Sequence, residues 1–155
     1  MFREMRLKEQ QLSNEEAISI LKEMTHGTLA INGDGPYPYS VPVSFVYEDG
    51  KIYFHGAMAG QKYDLLTADP HVCLSVVALD DVQPDKFTTY YRSVMVYGDM
   101  KRLEAPEEIQ KAMEATIKKY SSDFMEGGRA FIEAQQGNFC AYEMTICHMT
   151  AKRSE

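Results

Sequence analysis

Two spacings of apolar residues alternate along the chain, and each change of spacing marks the end of one element and the start of another. Behind Ser13-Asn14-Glu15-Glu16, which has the form of a capping box, Ala17, Leu21 and Met24 with Ile18 and Ile20 form a helical stripe. A helix is therefore expected from Ser13 or Asn14, with Gly27 as its stop. Thr28 to Asn32 reads as a strand, and Gly33-Asp34-Gly35-Pro36 as a turn whose glycines permit positive φ. Tyr39 through Tyr47 carries apolar residues on both faces, Val41, Val43, Phe45 and Tyr47 against Pro42 and Val46, so it should be covered twice. Pro42 has no N–H to give a ladder, so one edge of this strand should be open, bulged or contacted by something other than a strand. Glu48-Asp49-Gly50-Lys51 then turns the chain back into an antiparallel partner, Lys51 to His55.

Lys62 to Ala68 has the length of a two-turn helix closed by Asp69-Pro70, and His71 to Val77 is a strand of a buried kind. Asp80 to Lys86 reads as an acidic loop and Thr88 to Leu103 as a long strand. Pro106 opens a helix with Ile109, Met113, Ile117 and Tyr120 at helical spacing; Gly127-Gly128 is expected to separate it from a shorter helix near Arg129 to Gln135. A last strand runs from Asn138 to about Met149. Six strands joined by hairpins, with helices at the rim, predict an all-β core: one antiparallel six-stranded barrel spanning residues 1–155 as a single domain.

Charge narrows the partners. The chain has 155 residues and a formal net charge of −7, with no run of Lys and Arg, which argues against nucleic-acid backbones and anionic membranes. No apolar run approaches the roughly 20 residues that span a bilayer, and Met1 to Arg6 leads into polar sequence, so a cytoplasmic location is expected. Cys73, Cys140 and Cys147 lack the spacing of a zinc knuckle or a redox dithiol. The four histidines are scattered, so no metal site is expected. Ser44 and Ser93 lack the neighbours of a nucleophile motif, and Gly33 and Gly35 lack the third glycine and following helix of a dinucleotide loop.

One stretch does point to chemistry. Ile52-Tyr53-Phe54-His55-Gly56-Ala57 is a short strand ending in small residues, and it passes Gly60-Gln61-Lys62 into Tyr63-Asp64-Leu65-Leu66. Backbone N–H groups at a helix start, with one ammonium beside them, converge as an anion site requires. A phosphate oxygen near 4 Å from Lys62 would gain about 4 kcal/mol per charge pair at an effective dielectric of 20, before desolvation. The stretch is read as a phosphate cradle.

These blocks, with Val41-Pro42-Val43-Ser44-Phe45-Val46-Tyr47, Asp69-Pro70-His71-Val72-Cys73, Tyr91-Arg92-Ser93-Val94 and the ending Met144 to Lys152, resemble the FMN-binding split-barrel superfamily that includes pyridoxamine-phosphate oxidases, in its nitroimidazole-resistance branch. The resemblance covers nearly the whole chain. It implies a homodimer with FMN at the subunit interface. By position, Ser40, Val41, Pro42 and Val43 would flank the isoalloxazine edge, Phe54, His55 and Gly56 the ribityl chain and phosphate, Lys62 the phosphate, and Ser93 the ring. Gln61 stands where the oxidases usually carry the first of two basic residues, and Arg92 is a candidate replacement. The chain also ends without the Arg-containing motif that binds pyridoxal in those oxidases, which points away from that substrate.

The implied activity is an FMN-dependent oxidoreductase that takes electrons from a reduced nicotinamide or other donor and passes them to a small planar acceptor such as a nitroimidazole. A flavin-binding or sequestering protein without turnover, or a split barrel holding haem or a deazaflavin, are the alternatives. No catalytic acid or base is assigned; Tyr39 and His71 are the first residues to test.

Overall fold

A computed structural model describes residues 1–155, and in it the capping box forms as the sequence predicts. Glu16 N donates to Ser13 Oγ at 3.2 Å and Ser13 N donates to Glu16 Oε2 at 2.8 Å, starting helix α1, Asn14–Glu23. Ala17, Ile20 and Leu21 are its buried face. Ser13→Ala should lower stability by about 1 kcal/mol, read as a fall in the urea midpoint with an unchanged slope; no fall would mean that tertiary packing alone sets the start of α1.

Gly27 does not stop the helix. It lies inside strand β1, His26–Ile31, where a Cβ would come within 2.9 Å of Leu74 Cδ1 and 3.0 Å of Ser75 O. The glycine serves close strand packing, and α1 ends earlier. The remaining strands are β2, Tyr39–Ser44; β3, Val46–Glu48; β4, Lys51–Gly56; β5, His71–Gln83; β6, Thr88–Arg102; and β7, Cys140–Ser154. The helices are α2, Gln61–Ala68; α3, Pro106–Tyr120; and α4, Met125–Ala134.

There are seven strands rather than six because the stretch read as one strand from Tyr39 to Tyr47 is broken at Phe45. All pairings are antiparallel, in the order β2-β1-β5-β6-β7-β4-β3. The two outermost strands, β2 and β3, are thus separated by a single residue, and the sheet must curl until its edges approach. That covalent closure makes the barrel. Phe45, fully buried at 1% exposure, plugs the corner, and its carbonyl, lost to the ladder, accepts from Lys119 Nζ at 3.1 Å and Tyr120 Oη at 2.5 Å.

Three boundaries shift for similar reasons. The acidic stretch Asp80 to Lys86 is mostly strand: β5 and β6 extend as a long hairpin around a short 3-10 turn at Pro84–Lys86. Gly127 and Gly128 lie inside α4, where a Cβ on Gly128 would meet Ile117 Cγ2 at 2.8 Å, so this pair lets α4 lie against α3. The last strand continues to Ser154, five residues beyond the expected end. Its Cys140 is buried and Cys147 exposed, both free thiols. The main core fills the barrel with Leu29, Leu74, Val76, Val94, Val96 and Met144; a second cluster lies under α3 and α4 around Tyr53, Leu103 and Ile117. No helix is long and apolar enough to cross a membrane.

Candidate functional site

The break at Phe45 opens the site. Strand β3 pairs with β4 only as far as Val46 opposite Tyr53. Had the pairing continued, Ser44 and Val43 would have faced His55 and Gly56; instead β2 swings away to pair with β1. Phe54, His55 and Gly56 keep their β7 partners, Tyr142, Ala141 and Cys140, but have no strand on the other side. Tyr39–Ser44 likewise pairs on one side only, as Pro42 foretold. The result is a split whose lips are two unpaired backbone edges, one carrying Ser40 to Val43 and the other Phe54 to Gly56. Unpaired N–H and C=O groups are obligatory hydrogen-bonding groups, so both lips can bond a polar edge of a ligand.

At the end of the split the chain passes through Ala57 to Gly60 into α2. Gly60 precedes the helix at φ 113°, and no side chain caps it. The first N–H groups of α2 therefore have neither an intrahelical partner nor a side-chain acceptor. Lys62, half-buried, stands beside them: its Nζ would be 3.4 Å from a Cβ on Gly56 and lies 5.6 Å from the centroid of the buried Phe54 ring. It takes part in none of the chain's ion pairs. An ammonium without a counter-ion, amides without acceptors and a glycine that leaves the approach clear fit a phosphate monoester.

His55 sits on the same lip. Surrounding protein, and then the Lys62 ammonium, hold its pKa below the ordinary histidine value, so at neutral pH it is an uncharged donor and acceptor. Its side chain remains exposed along the lip. Below the lip, Phe54 stacks on Tyr142 with centroids 4.7 Å apart, and Cys140 Sγ donates to Ala57 O at 3.3 Å, tying the turn to β7. Burial, then Cys140, pushes the Tyr142 phenol well above its usual range, and it stays neutral. The Arg102 guanidinium lies 3.8 Å from the Tyr63 ring centroid and donates to Thr67 Oγ1, so α2 is held from below at two points. Nothing in the sequence pattern singles out Arg102; its role depends on β6 passing under α2.

Arg92 and Ser93 are elsewhere. Ser93 pairs with Lys152, whereas His55 pairs with Ala141, and eleven positions along β7 span roughly 36 Å. Arg92 is ion-paired with Glu155 at 3.4 Å. Within one chain, Arg92 cannot stand in for the basic residue replaced by Gln61. His71 has two acidic neighbours, one local and one across the sheet: its Nδ1 lies 2.6 Å from Asp69 Oδ1, and its Nε2 3.8 Å from Asp99 Oδ1. The backbone N–H of His71 and the Asn32 amide also donate to Asp69, and these bonds pull its carboxyl down to about 2. The cluster lies at the start of β5, just after α2. No group of three or more His, Cys, Asp or Glu side chains is placed to hold a metal ion.

A family model described as pyridoxamine 5'-phosphate oxidase matches residues 13–153. None of the curated proteins matches the chain in sequence. Among solved structures, a Bacteroides thetaiotaomicron protein described in terms of 5-nitroimidazole antibiotic resistance superposes with a TM-score of 0.74 at 21% identity, covering 94% of this chain and 90% of its own. The flavocytochrome Anf3 from Azotobacter vinelandii gives a TM-score of 0.81 at 19% identity, over 99% of this chain and 73% of that one. A Mycobacterium smegmatis protein described as binding FAD and heme gives 0.76 at 21% identity, over 94% and 74%. At these identities the likeness establishes the fold.

Proposed function

Because the chain belongs to the family described as pyridoxamine 5'-phosphate oxidase, we propose that its split holds FMN and that the protein is an FMN-dependent oxidoreductase reducing a small planar acceptor such as a nitroimidazole. The observation that carries this reading is the unpaired Lys62 ammonium beside the uncapped start of α2, at the mouth of a groove with two free backbone edges. Lys62 and the α2 amides would hold the phosphate, His55 and Gly56 would line the ribityl path, and the Ser40 to Val43 edge would meet the polar rim of the ring. When bound, the flavin supplies the redox chemistry. The chain's own part is to fix the tail, orient the ring and exclude water from one face.

Ser93 and Arg92 can join such a site only from a second copy. Apolar side chains left in water along the β5–β6 hairpin support a homodimer: Val77, Leu79, Val82 and Phe87 are 54%, 38%, 64% and 96% exposed. A single chain that leaves these side chains in water carries a patch suited to self-association. A cytoplasmic location accords with three free thiols.

The freshly purified full chain should sediment as a dimer and show flavin absorption bands, and the ligand released on denaturation should have the mass of FMN. Reduced nicotinamide should be oxidised faster when a nitroimidazole is added. A Soret band would replace flavin with haem, the cofactor chemistry named for two of the structural neighbours. Flavin without turnover on any acceptor would leave a binding or sequestering protein.

A further inference from the structure

Residues 1–12 form an arm across the outer face of β6 and β7. One end is fixed where Leu12 N donates to Ala151 O at 2.8 Å and Gln11 bridges to Lys152; the other is fixed where Phe2 stacks on His148 at 4.6 Å and 6°. Between these anchors Met5, Arg6 and Leu7 pass over the strands and enclose a cavity of about 200 Å³. Its floor is Ser93, Met95 and Thr150, on the side of the sheet opposite the buried Val94, Val96 and Ala151.

The lining is one-sided in charge. Arg6 and Lys152 both face the cavity, no carboxylate does, and neither cation belongs to an ion pair, in a chain of net charge −7. Lys152 Nζ lies 5.4 Å from the centroid of the Tyr91 ring. The other polar groups can donate: the Ser93 and Thr150 hydroxyls make no hydrogen bond within the chain, and Gln10, whose Oε1 accepts from Tyr91 Oη at 3.2 Å, keeps its NH2 free. Two cations and several unused donors set among Met5, Leu7, Met95 and the Tyr91 ring match an anionic group attached to a flat apolar body.

We infer that this cavity binds a small planar organic anion, gripped at its carboxylate or phosphate end by Arg6 and Lys152, with the arm as its roof. The pocket is read from the chain's own residues; its position beside a flavin ring, and so the identity of its ligand as the electron acceptor, rests on the proposed function, in which Ser93 borders the ring held by the partner copy.

The test uses 4-nitrobenzoate and its uncharged counterpart nitrobenzene, titrated by calorimetry into the full chain with and without FMN. Nitrobenzoate should bind about tenfold more tightly than nitrobenzene, and Arg6→Met and Lys152→Met should each weaken nitrobenzoate about tenfold while moving nitrobenzene less than about twofold. Both cations are exposed, and melting temperatures of the variants should match the parent. Equal affinity for the two compounds, or variants indifferent to the carboxylate, would overturn the inference. If FMN fails to load but the flavin-free chain still discriminates, the pocket stands and the flavin reading falls. If FMN loads and the discrimination is absent, the reverse holds.

Discussion

Lys62→Ala should weaken FMN binding about a hundredfold and leave riboflavin binding unchanged within about twofold. The two ligands share the ring and ribityl chain and differ in the phosphate, so their comparison isolates the tail. One charge-assisted contact contributes roughly 1.5–3 kcal/mol net, well below the Coulomb figure, because ammonium and phosphate both lose water on pairing. The upper part of that range applies here: Lys62 is half-buried, has no carboxylate to leave and sits where the first amides of α2 already favour an anion. The cation–π contact with Phe54, 5.6 Å from Nζ to the ring centroid, is lost for both ligands alike and so cancels in the comparison. Lys62→Arg should keep most of the affinity, and raising the salt should narrow the gap between parent and Lys62→Ala. Flavin fluorescence quenching reads all of these. An equal loss for riboflavin would show that Lys62 supports the groove and not the phosphate, and the cradle reading would fail.

The sequence carried this corner because its signals are local. A strand, two small residues, a glycine, a lysine and a helix lie within about fifteen consecutive positions, and no distant partner is needed to bring them together. The start of α1 was legible for the same reason, since the Ser13–Glu16 box closes on itself. What failed depended on contacts between elements. Gly27 and Gly128 looked like helix stops, yet each is required by a side chain on another element, Leu74 in one case and Ile117 in the other. Phe45 read as one more apolar position in a two-faced strand. Its break is set by closure of the barrel, which forces the two outermost strands to share one covalent joint. The same long-range geometry separates Arg92 from Lys62 and gives His71 its Asp99 neighbour, and no spacing rule along the chain could have supplied either.

The joint at Phe45 also sets the largest expected loss of stability, at Lys119→Met. Lys119 Nζ donates to Leu21 O at 3.2 Å, to Phe45 O at 3.1 Å and to Met24 O, and lies 4.3 Å from the centroid of the Phe45 ring. Three carbonyls thus converge on one cation: two from the C-terminal end of α1, where the helix dipole is negative, and one from the strand break. Burial pulls the Lys119 pKa from 10.5 down to about 8, so the ammonium is held at a cost. An aliphatic replacement removes that cost but leaves the α1 carbonyls facing one another without a donor, while Tyr120 still serves Phe45 O. Loss of donors outweighs relief of desolvation, because several acceptors depend on a single group. The expected net change is about 3 kcal/mol, or a fall of about 9 °C in melting temperature for a chain of this size. The pH dependence separates this clasp from simple packing. Lys119 has a folded pKa below its unfolded value, so between about 8 and 10.5 the unfolded chain binds more protons and stability gains with rising pH. Tyr53, raised to about 12 in the folded state, opposes this gain above pH 10, so the window to measure is pH 8 to 9.5. Over that window the difference in urea midpoint between parent and Lys119→Met should widen, whereas Lys119→Arg, which cannot release its proton, should lack the gain. If Lys119→Met matched the parent in midpoint at pH 7 and in slope with pH, the strand break would have to be held by Phe45 and Tyr120 alone.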